Sequence, residues 1–226
     1  MKQLEVFYKK NFMDGVVVRQ ESDVYLKNIL DQNPQLAYHI SDKFFKNDLF
    51  GNPVLMNYEL PDGQLLTTSP TTIRYVKVLS DLMMLFGDLD GLNIVEIGAG
   101  YGGLASIIGQ QFSFNHYYDV GNLAKKYTSE LGINNFTSLT PAKLDRLKDI
   151  DLVISNYAFS ECNLETRREY IDKILSNAKM GYITHNGDQQ RRDETASIIK
   201  KYENFKIFGH DGIKRHPIFI WNITGE

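Results

Sequence analysis

Residues 95–103 read Val-Glu-Ile-Gly-Ala-Gly-Tyr-Gly-Gly, in which the end of a mostly apolar run is followed by four glycines within six positions. The residues before the first glycine have the composition of a short buried strand, and residues 104–112 have a helical pattern. A turn between the first strand and the first helix is where open α/β sheets bind their ligands. Glycine permits a tight turn and lets a ligand approach the backbone. The stretch therefore predicts an α/β fold with a ligand site at this loop.

The chain around this loop alternates strand-like and helical patterns. Strand-like runs occupy residues 93–97, 116–120, 136–139, 151–155, 181–185, 205–208 and 218–223. The last two runs have no helix between them, so they should form an antiparallel hairpin at one edge. The other runs alternate with helices, which requires right-handed crossovers and parallel pairing. The pattern predicts a doubly wound, mostly parallel seven-stranded sheet.

The N-terminal third has a different character. Residues 1–68 are mixed in pattern, with one short amphipathic helix predicted from about Ser22, and residues 44–63 read as a loop because glycine and proline recur there. A helix is clearly predicted between Ser69 and Gly87. Ser69 can cap its start, a proline occupies the first helical position, and apolar residues follow at helical spacing up to Gly87. We therefore predict an N-terminal region at 1–68, folded as a helical cap, and a sheet domain at 69–226.

Composition excludes several classes of protein. The 226 residues include 42% hydrophobic residues and carry a formal net charge of −3, which gives no general electrostatic attraction to nucleic acid. The single cysteine, Cys162, cannot form an internal disulfide bond. No uncharged apolar stretch approaches the roughly 20 residues that a membrane helix needs. The expectation is a cytoplasmic protein with neither a nucleic-acid nor a membrane partner.

Two cofactors could bind the glycine loop. Gly98, Gly100 and Gly103 match the dinucleotide fingerprint G-x-G-x-x-G, which alone is a weak signal. Glu96 precedes the first glycine, and its charge would oppose a pyrophosphate but suit the amino and sulfonium groups of S-adenosylmethionine (SAM). Asp119, at the end of the second strand, could accept the ribose hydroxyls of either cofactor. A nicotinamide-dependent oxidoreductase therefore remains an alternative, although the chain after the loop is short for it.

The loop also resembles motif I of class I SAM-dependent methyltransferases. Three further blocks extend the resemblance: residues 69–75 (Ser-Pro-Thr-Thr-Ile-Arg-Tyr), 155–161 (Ser-Asn-Tyr-Ala-Phe-Ser-Glu) and 181–186 (Gly-Tyr-Ile-Thr-His-Asn). Together they are similar to the sugar O-methyltransferase family found with surface-polysaccharide genes. The resemblance covers roughly residues 50–223. The chain departs from the family pattern directly after Asp119. The family pattern predicts a leucine there and no glycine, whereas this chain has Val120 followed by Gly121.

The residues and the resemblance together predict a SAM site, with S-adenosylhomocysteine as the product. The predicted cofactor-binding residues are Thr72, Arg74, Glu96, Gly98, Ala99, Gly100, Tyr101, Gly102, Asp119, Val120, Ser155 and Asn156. The resemblance implies a Rossmann-like methyltransferase fold and a sugar hydroxyl, on a nucleotide sugar or a surface glycan, as the methyl acceptor. Residues 1–68 would then bind the acceptor.

Transfer of a methyl group to oxygen usually needs a base that removes the hydroxyl proton. His185, after the fifth strand, is the favoured base because an unperturbed imidazole is largely neutral near pH 7. Glu161 is the alternative base or a sugar ligand, or else a helix-capping carboxylate. Asp188 would either orient His185 or cap the next helix. No essential metal is predicted, because the acidic residues lack a convincing octahedral spacing.

Other functions stay open at this stage. The same motifs fit an N- or O-methyltransferase of another small capsule precursor, since nothing in residues 155–157 fixes oxygen as the acceptor. A SAM-binding module without turnover, acting beside a glycosyltransferase, is a third hypothesis. The sequence leaves a homodimer open and does not identify the acceptor.

Overall fold

The computed structural model describes residues 19–121, 124, 128, 130, 132–202, 204–210 and 216–222. The chain divides into two compact units. Of the described residues, the first comprises 19–88 and 103–112, and the second comprises 89–102 and the described positions from 113 to 222. The helix that follows Ser69 packs against the helix Arg19–Gln32 within the first unit, and the predicted boundary between residues 68 and 69 stays a prediction.

The first unit is mainly helical. Its helices and strands are α1 (Arg19–Gln32), α2 (Pro34–Tyr38), β1 (Met56–Glu59), β2 (Leu65–Thr68), α3 (Pro70–Phe86) and α4 (Gly103–Gln111). Helix α3 packs against both α1 and α4, and its side chains Ile73 and Leu79 are fully buried. Burial of this apolar face stabilises a helix that would be marginal in isolation.

Helix α3 begins and ends where its capping residues predict. The Ser69 hydroxyl accepts a hydrogen bond from the Thr72 amide at 3.1 Å, which satisfies one of the free N–H groups of the first turn. At the other end Gly87 has φ +74° and donates its amide to the Met83 carbonyl. The prediction of this helix is confirmed.

Residues 44–63 are more regular than the sequence predicts. A π-helical turn spans Ile40–Phe44, a 3₁₀ turn spans Phe45–Leu49, and β1 lies within the predicted loop. Strand β1 pairs antiparallel with β2, and the tight turn at Gly63, with φ +84°, connects them. The glycines and prolines that predict a loop thus mark the turns between short elements.

The second unit contains the predicted sheet. Its strands are β3 (Asn93–Ile97), β4 (His116–Val120), β5 (Phe136–Leu139), β6 (Leu152–Asn156), β7 (Met180–Thr184), β8 (Lys206–His210) and β9 (Pro217–Asn222). The order across the sheet is β5-β4-β3-β6-β7-β9-β8. Among the described strands of this sheet, β7–β9 and β8–β9 pair antiparallel and the other pairs are parallel. The predicted doubly wound, mostly parallel sheet with an antiparallel C-terminal hairpin is confirmed.

Helices and turns follow several of these strands. They are a 3₁₀ turn at Pro141–Arg146, α5 (Ala158–Glu161), α6 (Leu164–Lys173), a 3₁₀ turn at Leu175–Asn177 and α7 (Gln189–Ile199). The apolar core of the unit includes Val153, Phe159, Ile183 and Trp221. Among the described residues, no helix is both long and apolar enough to cross a membrane.

The glycine loop lies at the topological switch point, where the order of the strands in the sheet reverses. Strands β3 and β6 are neighbours, and the chain leaves β3 toward β4 on one side and returns to β6 on the other. Ligands bind α/β sheets at such a switch point, outside the carboxyl ends of the strands. A ligand site is therefore expected at the carboxyl ends of β3, β4, β6 and β7.

Candidate active site

The glycine loop after β3 is a turn that only glycine fits at its first position. Gly98, Gly100 and Gly102 have φ angles of +79°, +61° and +93°, which side-chain-bearing residues rarely adopt. A Cβ atom at Gly98 would lie 2.3 Å from the Cβ of Ala158 in α5. The loop therefore passes against the segment that follows β6, and a methyl group at position 98 would force the two apart.

Glu96 lies in the sheet, next to this loop, and is nearly inaccessible. Its side chain is 3% exposed, and its Oε2 accepts a hydrogen bond from the Tyr117 hydroxyl at 2.7 Å. A buried carboxylate needs such donors because burial without them is costly. The partner Tyr117 comes from β4, directly beside β3 in the sheet. Glu96 is thus held rigidly one residue before the end of β3.

Asp119 connects the end of β4 to the loop. Its Oδ1 accepts a hydrogen bond from the Ala99 amide at 3.1 Å, and its Oδ2 accepts one from the Ser138 hydroxyl at 3.2 Å. Burial raises the pKa of this carboxyl group to about 6, although the two hydrogen bonds oppose the shift. A Cβ atom at Gly121 would lie 2.9 Å from Oδ1, so the unexpected glycine leaves room for the carboxylate.

Ser138 is a hydrogen-bond donor at the site that no sequence motif predicts. The parallel register between β4 and β5 pairs Asp119 directly with Ser138, so a prediction of the register would have found this donor. Of the other predicted cofactor residues in the second unit, Tyr101 and Val120 are buried, at 4% and 3% exposure.

Ser155, in β6, joins three backbone segments. It is fully buried, donates its hydroxyl to the Ile97 carbonyl at 3.2 Å and accepts the Phe159 amide at 3.0 Å. Its hydroxyl is therefore occupied by the protein itself. Ser155 fixes β6 and α5 against the end of β3, which is a positioning role within the predicted site.

Asn156, the last residue of β6, carries an amide group with unused hydrogen-bonding capacity. Its Oδ1 accepts a long bond of 3.4 Å from the Thr184 hydroxyl, whereas its Nδ2 is buried and has no partner among the described residues. Buried donors are almost always paired, so an unpaired one calls for a functional explanation. The arrangement fits a ligand that offers an acceptor oxygen at the carboxyl end of β6.

Tyr157 follows with a strained backbone. Its φ of +73° and ψ of −38° are sparsely populated for a residue with a side chain, and such strain concentrates at functional sites. The conformation turns the chain sharply from β6 into α5, and the tyrosine ring meets the His216 ring edge-on, with the centroids 5.7 Å apart.

His185 is held differently from what a general base requires. It is fully buried, its Nδ1 accepts the Gly187 amide at 3.1 Å, and its Nε2 lies 3.1 Å from the Thr195 hydroxyl. Burial, followed by the nearby Arg167, lowers its pKa to about 4. Because the Gly187 amide can only donate, Nδ1 has no lone pair left for a substrate proton. The geometry disfavours His185 as the base predicted from sequence.

Glu161 is exposed and does not cap a helix. Its Oε1 accepts a hydrogen bond from the Asn186 amide at 2.7 Å, and Asn163 is the residue whose side chain caps α6. The capping interpretation of Glu161 is therefore wrong. Its carboxylate is oriented by a residue that follows β7, at the same edge of the sheet as Asn156.

Asp188 has the capping role that the sequence offered as an alternative. Its Oδ1 accepts the Arg191 amide at 2.9 Å, at the start of α7. No hydrogen bond between Asp188 and His185 is present, because the Gly187 amide and the Thr195 hydroxyl occupy the histidine nitrogens. The interpretation of Asp188 as the residue that orients His185 is corrected accordingly.

Thr72 and Arg74 lie in the first unit. The Thr72 hydroxyl donates to Asp48 at 2.7 Å and accepts from Asn47 at 2.7 Å, so it is part of a hydrogen-bonded cluster at the start of α3. The guanidinium of Arg74 lies over the ring of Tyr75, 5.2 Å from its centroid. Their cofactor role stays a prediction.

No protein-family model and no curated protein sequence matches the chain. Solved structures do share its fold. A protein from Thermoplasma acidophilum aligns with a TM-score of 0.50 and 15% identity, over 68% of this chain and 91% of its own. The precorrin-6y C5,15-methyltransferase from Geobacter metallireducens gives 0.47 and 15%, over 74% and 93%. The methyltransferase domain of bacterial CtHen1-CN gives 0.49 and 9%, over 66% and 97%.

At these identities the likeness establishes the fold alone. The chain has a doubly wound α/β fold of the Rossmann-like kind, and its candidate site lies at the carboxyl ends of β3, β4, β6 and β7.

Proposed function

We propose that this protein is a SAM-dependent methyltransferase. The observation that carries the proposal is the buried carboxylate of Asp119, tied by hydrogen bond to the glycine loop at the switch point of the sheet. A carboxylate at the end of the second strand can accept two ribose hydroxyls, and the glycines let an adenosyl group approach the backbone. The methyltransferase names among the structural neighbours agree with this choice.

Glu96 favours SAM over a nicotinamide dinucleotide. Its carboxylate accepts a hydrogen bond from the Tyr117 hydroxyl and lies two residues before the first glycine, close in sequence to any ligand bound by the loop. A pyrophosphate placed there would meet negative charge, whereas a cationic ligand would be attracted. The positively charged amino and sulfonium groups of SAM are complementary to the negative charge of Glu96.

The chain's own residues divide the work of binding. Asp119 and the loop from Gly98 to Gly102 would hold the nucleoside part, and Asn156 would donate its free amide hydrogen atoms to the carboxylate of the amino-acid part. A hydrogen bond to a charged group is worth roughly 1.5–3 kcal/mol, which explains why a buried donor is kept available. When bound, SAM supplies an electrophilic methyl group on sulfur.

Glu161 is the base that the geometry favours. It is exposed, its carboxylate is oriented by Asn186, and it lies at the same sheet edge as Asn156. A carboxylate in this position would accept the proton of the acceptor hydroxyl as the oxygen is methylated. His185 would instead hold the β7–α7 connection through Gly187 and Thr195.

The acceptor we propose is a sugar hydroxyl of a nucleotide sugar or glycan. Support comes from the resemblance of residues 155–161 and 181–186 to the sugar O-methyltransferase family. The exposed carboxylate of Glu161 and the phenol of Tyr157 are groups that hydrogen-bond hydroxylated ligands. Residues 1–68 are proposed to contribute to acceptor binding.

Calorimetric titration tests the cofactor. SAM and S-adenosylhomocysteine should bind, whereas NAD and NADP should not, and binding of only the dinucleotides would refute the proposal. Asn156→Ala should weaken SAM binding about tenfold or more, because the amide donates to a charged group. Asn177→Ala, which removes an exposed amide from the Leu175–Asn177 turn, is the matched control and should leave affinity unchanged.

A second experiment tests the base. Glu161→Gln should lower kcat by about 10²- to 10⁴-fold with little change in SAM affinity, as expected for the loss of a positioned base. Glu165→Gln, at an exposed carboxylate in α6, is the control. The assay measures methyl transfer from SAM to a panel of nucleotide sugars and related hydroxylated and amino acceptors. Transfer to amines alone would refute the sugar hydroxyl and retain the methyltransferase.

A further inference from the structure

A cavity outside the candidate active site lies between helices α6 and α7. Its volume is about 170 Å³, and its lining includes Leu164, Arg167, Ile171, Glu194 and Thr195. An engineered cavity of about 150 Å³ is large enough to bind benzene, so this one can hold a ligand of roughly six to eight non-hydrogen atoms.

The charged wall of the cavity favours an anion. Arg167 is 6% exposed and pairs with Glu194, its Nη2 lying 3.0 Å from Oε2, yet its Nε is buried and has no hydrogen-bond partner among the described residues. Arg168 also lines the cavity, is exposed and forms no ion pair within the described part of the chain. Two arginines against one glutamate leave the lining with one excess positive charge.

Glu194 does not satisfy the Nε donor of Arg167. Its second carboxylate oxygen already accepts a hydrogen bond from Gln190 at 3.2 Å. A guanidinium has five N–H donors in a planar fork that matches a carboxylate, and a buried donor left without a partner is unfavourable. A second carboxylate, brought by a ligand, would supply the missing acceptor.

One part of the cavity wall is apolar. Leu164 and Ile171 from α6 line it together with Phe159, which is fully buried. Inorganic phosphate would leave this wall without a contact, whereas a short hydrocarbon tail would cover it. We propose that the cavity binds a small monocarboxylate with a short apolar tail, whose carboxylate meets Arg167 and Arg168.

A ligand in this cavity would change the environment of His185, which follows β7. Thr195 lines the cavity, and its hydroxyl is 3.1 Å from the Nε2 of His185. After burial, Arg167 is the largest cause of the low pKa of His185, which places the two side chains within electrostatic reach. The ring of His185 is therefore a built-in reporter of an anion beside Arg167.

The experiment titrates the full-length protein with sodium acetate, butyrate and hexanoate at constant ionic strength, using calorimetry. Each methylene that enters the cavity should strengthen binding about fourfold. Butyramide, which has no charge, and inorganic phosphate, which has no tail, are the comparison ligands and should bind more weakly than butyrate. Tighter binding of phosphate, or equal binding of butyramide, would overturn the proposal.

Variants locate the site. Arg168→Gln should weaken butyrate binding about threefold to tenfold, whereas Glu194→Gln should strengthen it, because a competing carboxylate charge is removed. Both positions are accessible enough for the fold to survive, and circular dichroism checks this. Leu164→Ala should weaken hexanoate but not acetate. Upon saturation with butyrate, the NMR signal of the His185 ring should shift. Affinities that are the same in all three variants would refute the assignment.

Discussion

The buried state of His185 makes a measurable prediction about stability. In the folded protein its pKa is about 4, whereas the value for an unperturbed histidine is 6.5. A group with a lowered pKa in the folded state contributes stability at high pH, which is lost as the pH falls from 6.5 toward 4. At 1.36 kcal/mol per pH unit, this interval corresponds to about 3 kcal/mol in all, of which about 2 kcal/mol is lost between pH 7.5 and pH 5.

The wild-type protein alone would not reveal this loss. Burial raises the pKa of Asp119 to about 6, so its contribution has the opposite sign: the folded state is destabilised as the pH rises through that range. Between pH 5 and pH 7.5 the Asp119 effect is about 1.4 kcal/mol, and it offsets much of the effect of His185. The difference between the wild type and a His185→Asn variant cancels the Asp119 contribution.

The assay is urea unfolding at pH 7.5 and pH 5, followed by the fluorescence of Trp221. Trp221 is the only tryptophan of the chain, it is 1% exposed, and it lies in the same unit as His185. His185→Asn should lose about 2 kcal/mol less stability than the wild type on going from pH 7.5 to pH 5. His39→Asn, which removes an exposed histidine, is the control and should behave as the wild type.

Equal losses in the wild type and in His185→Asn would refute the reasoning. They would mean that His185 titrates in the folded state as it does in the unfolded chain. Its Nδ1 would then be available to accept a proton, and the general-base role would return from Glu161 to His185.

Three further predictions follow from the same geometry. Gly98→Ala should lower the free energy of unfolding, measured in urea, by roughly 2–4 kcal/mol, because the new methyl group would clash with Ala158 at a position that also has an unfavourable positive φ. Gly132→Ala is the control. It also has a positive φ but open space around it, so it should cost only about 1 kcal/mol. SAM affinity should be about tenfold weaker at pH 5 than at pH 7 by calorimetry, because Asp119 must ionise to accept ribose hydroxyls, and Asp119→Asn should bind weakly at both pH values. Asp188→Ala should lower stability by about 1 kcal/mol and leave kcat intact, whereas a collapse of kcat would contradict its role as a helix cap.

The sequence predicted the sheet well because local signals and topology agree there. Each parallel strand is a short apolar run bounded by turn residues, and the absence of a helix before residues 218–223 was enough to predict the antiparallel hairpin. Helix α3 was predicted to the residue because Ser69 and Gly87 are strong capping signals. Local sequence signals do not predict the division into two units, because that division depends on which distant segments of the chain pack against α3.

The site was predicted less completely, and for a physical reason. Sequence position puts Asn156 at the end of β6, Glu161 in the segment that follows it and His185 directly after β7, but it does not show which side chains are already hydrogen-bonded within the protein. Gly187 directs its amide at His185, and a Cβ atom at position 187 would lie 2.6 Å from the ring, so the short connection after β7 closes over the imidazole. Donor and acceptor roles of this kind depend on backbone directions, which motifs do not encode.

The opposite pKa shifts of Asp119 and His185 set the pH range in which the proposed function can operate. Above about pH 6, Asp119 is ionised and can accept hydroxyl donors, while His185 is already neutral and holds the β7–α7 connection. Ionising Asp119 in its buried position costs the free protein about 3 kcal/mol relative to an exposed aspartate. Two ribose hydroxyls that donate to the carboxylate would recover part of this cost. The free energy that the empty site loses by ionising a buried Asp119 is therefore recovered, in part, only by a ligand that donates hydroxyl groups to the carboxylate, and this favours such ligands over others.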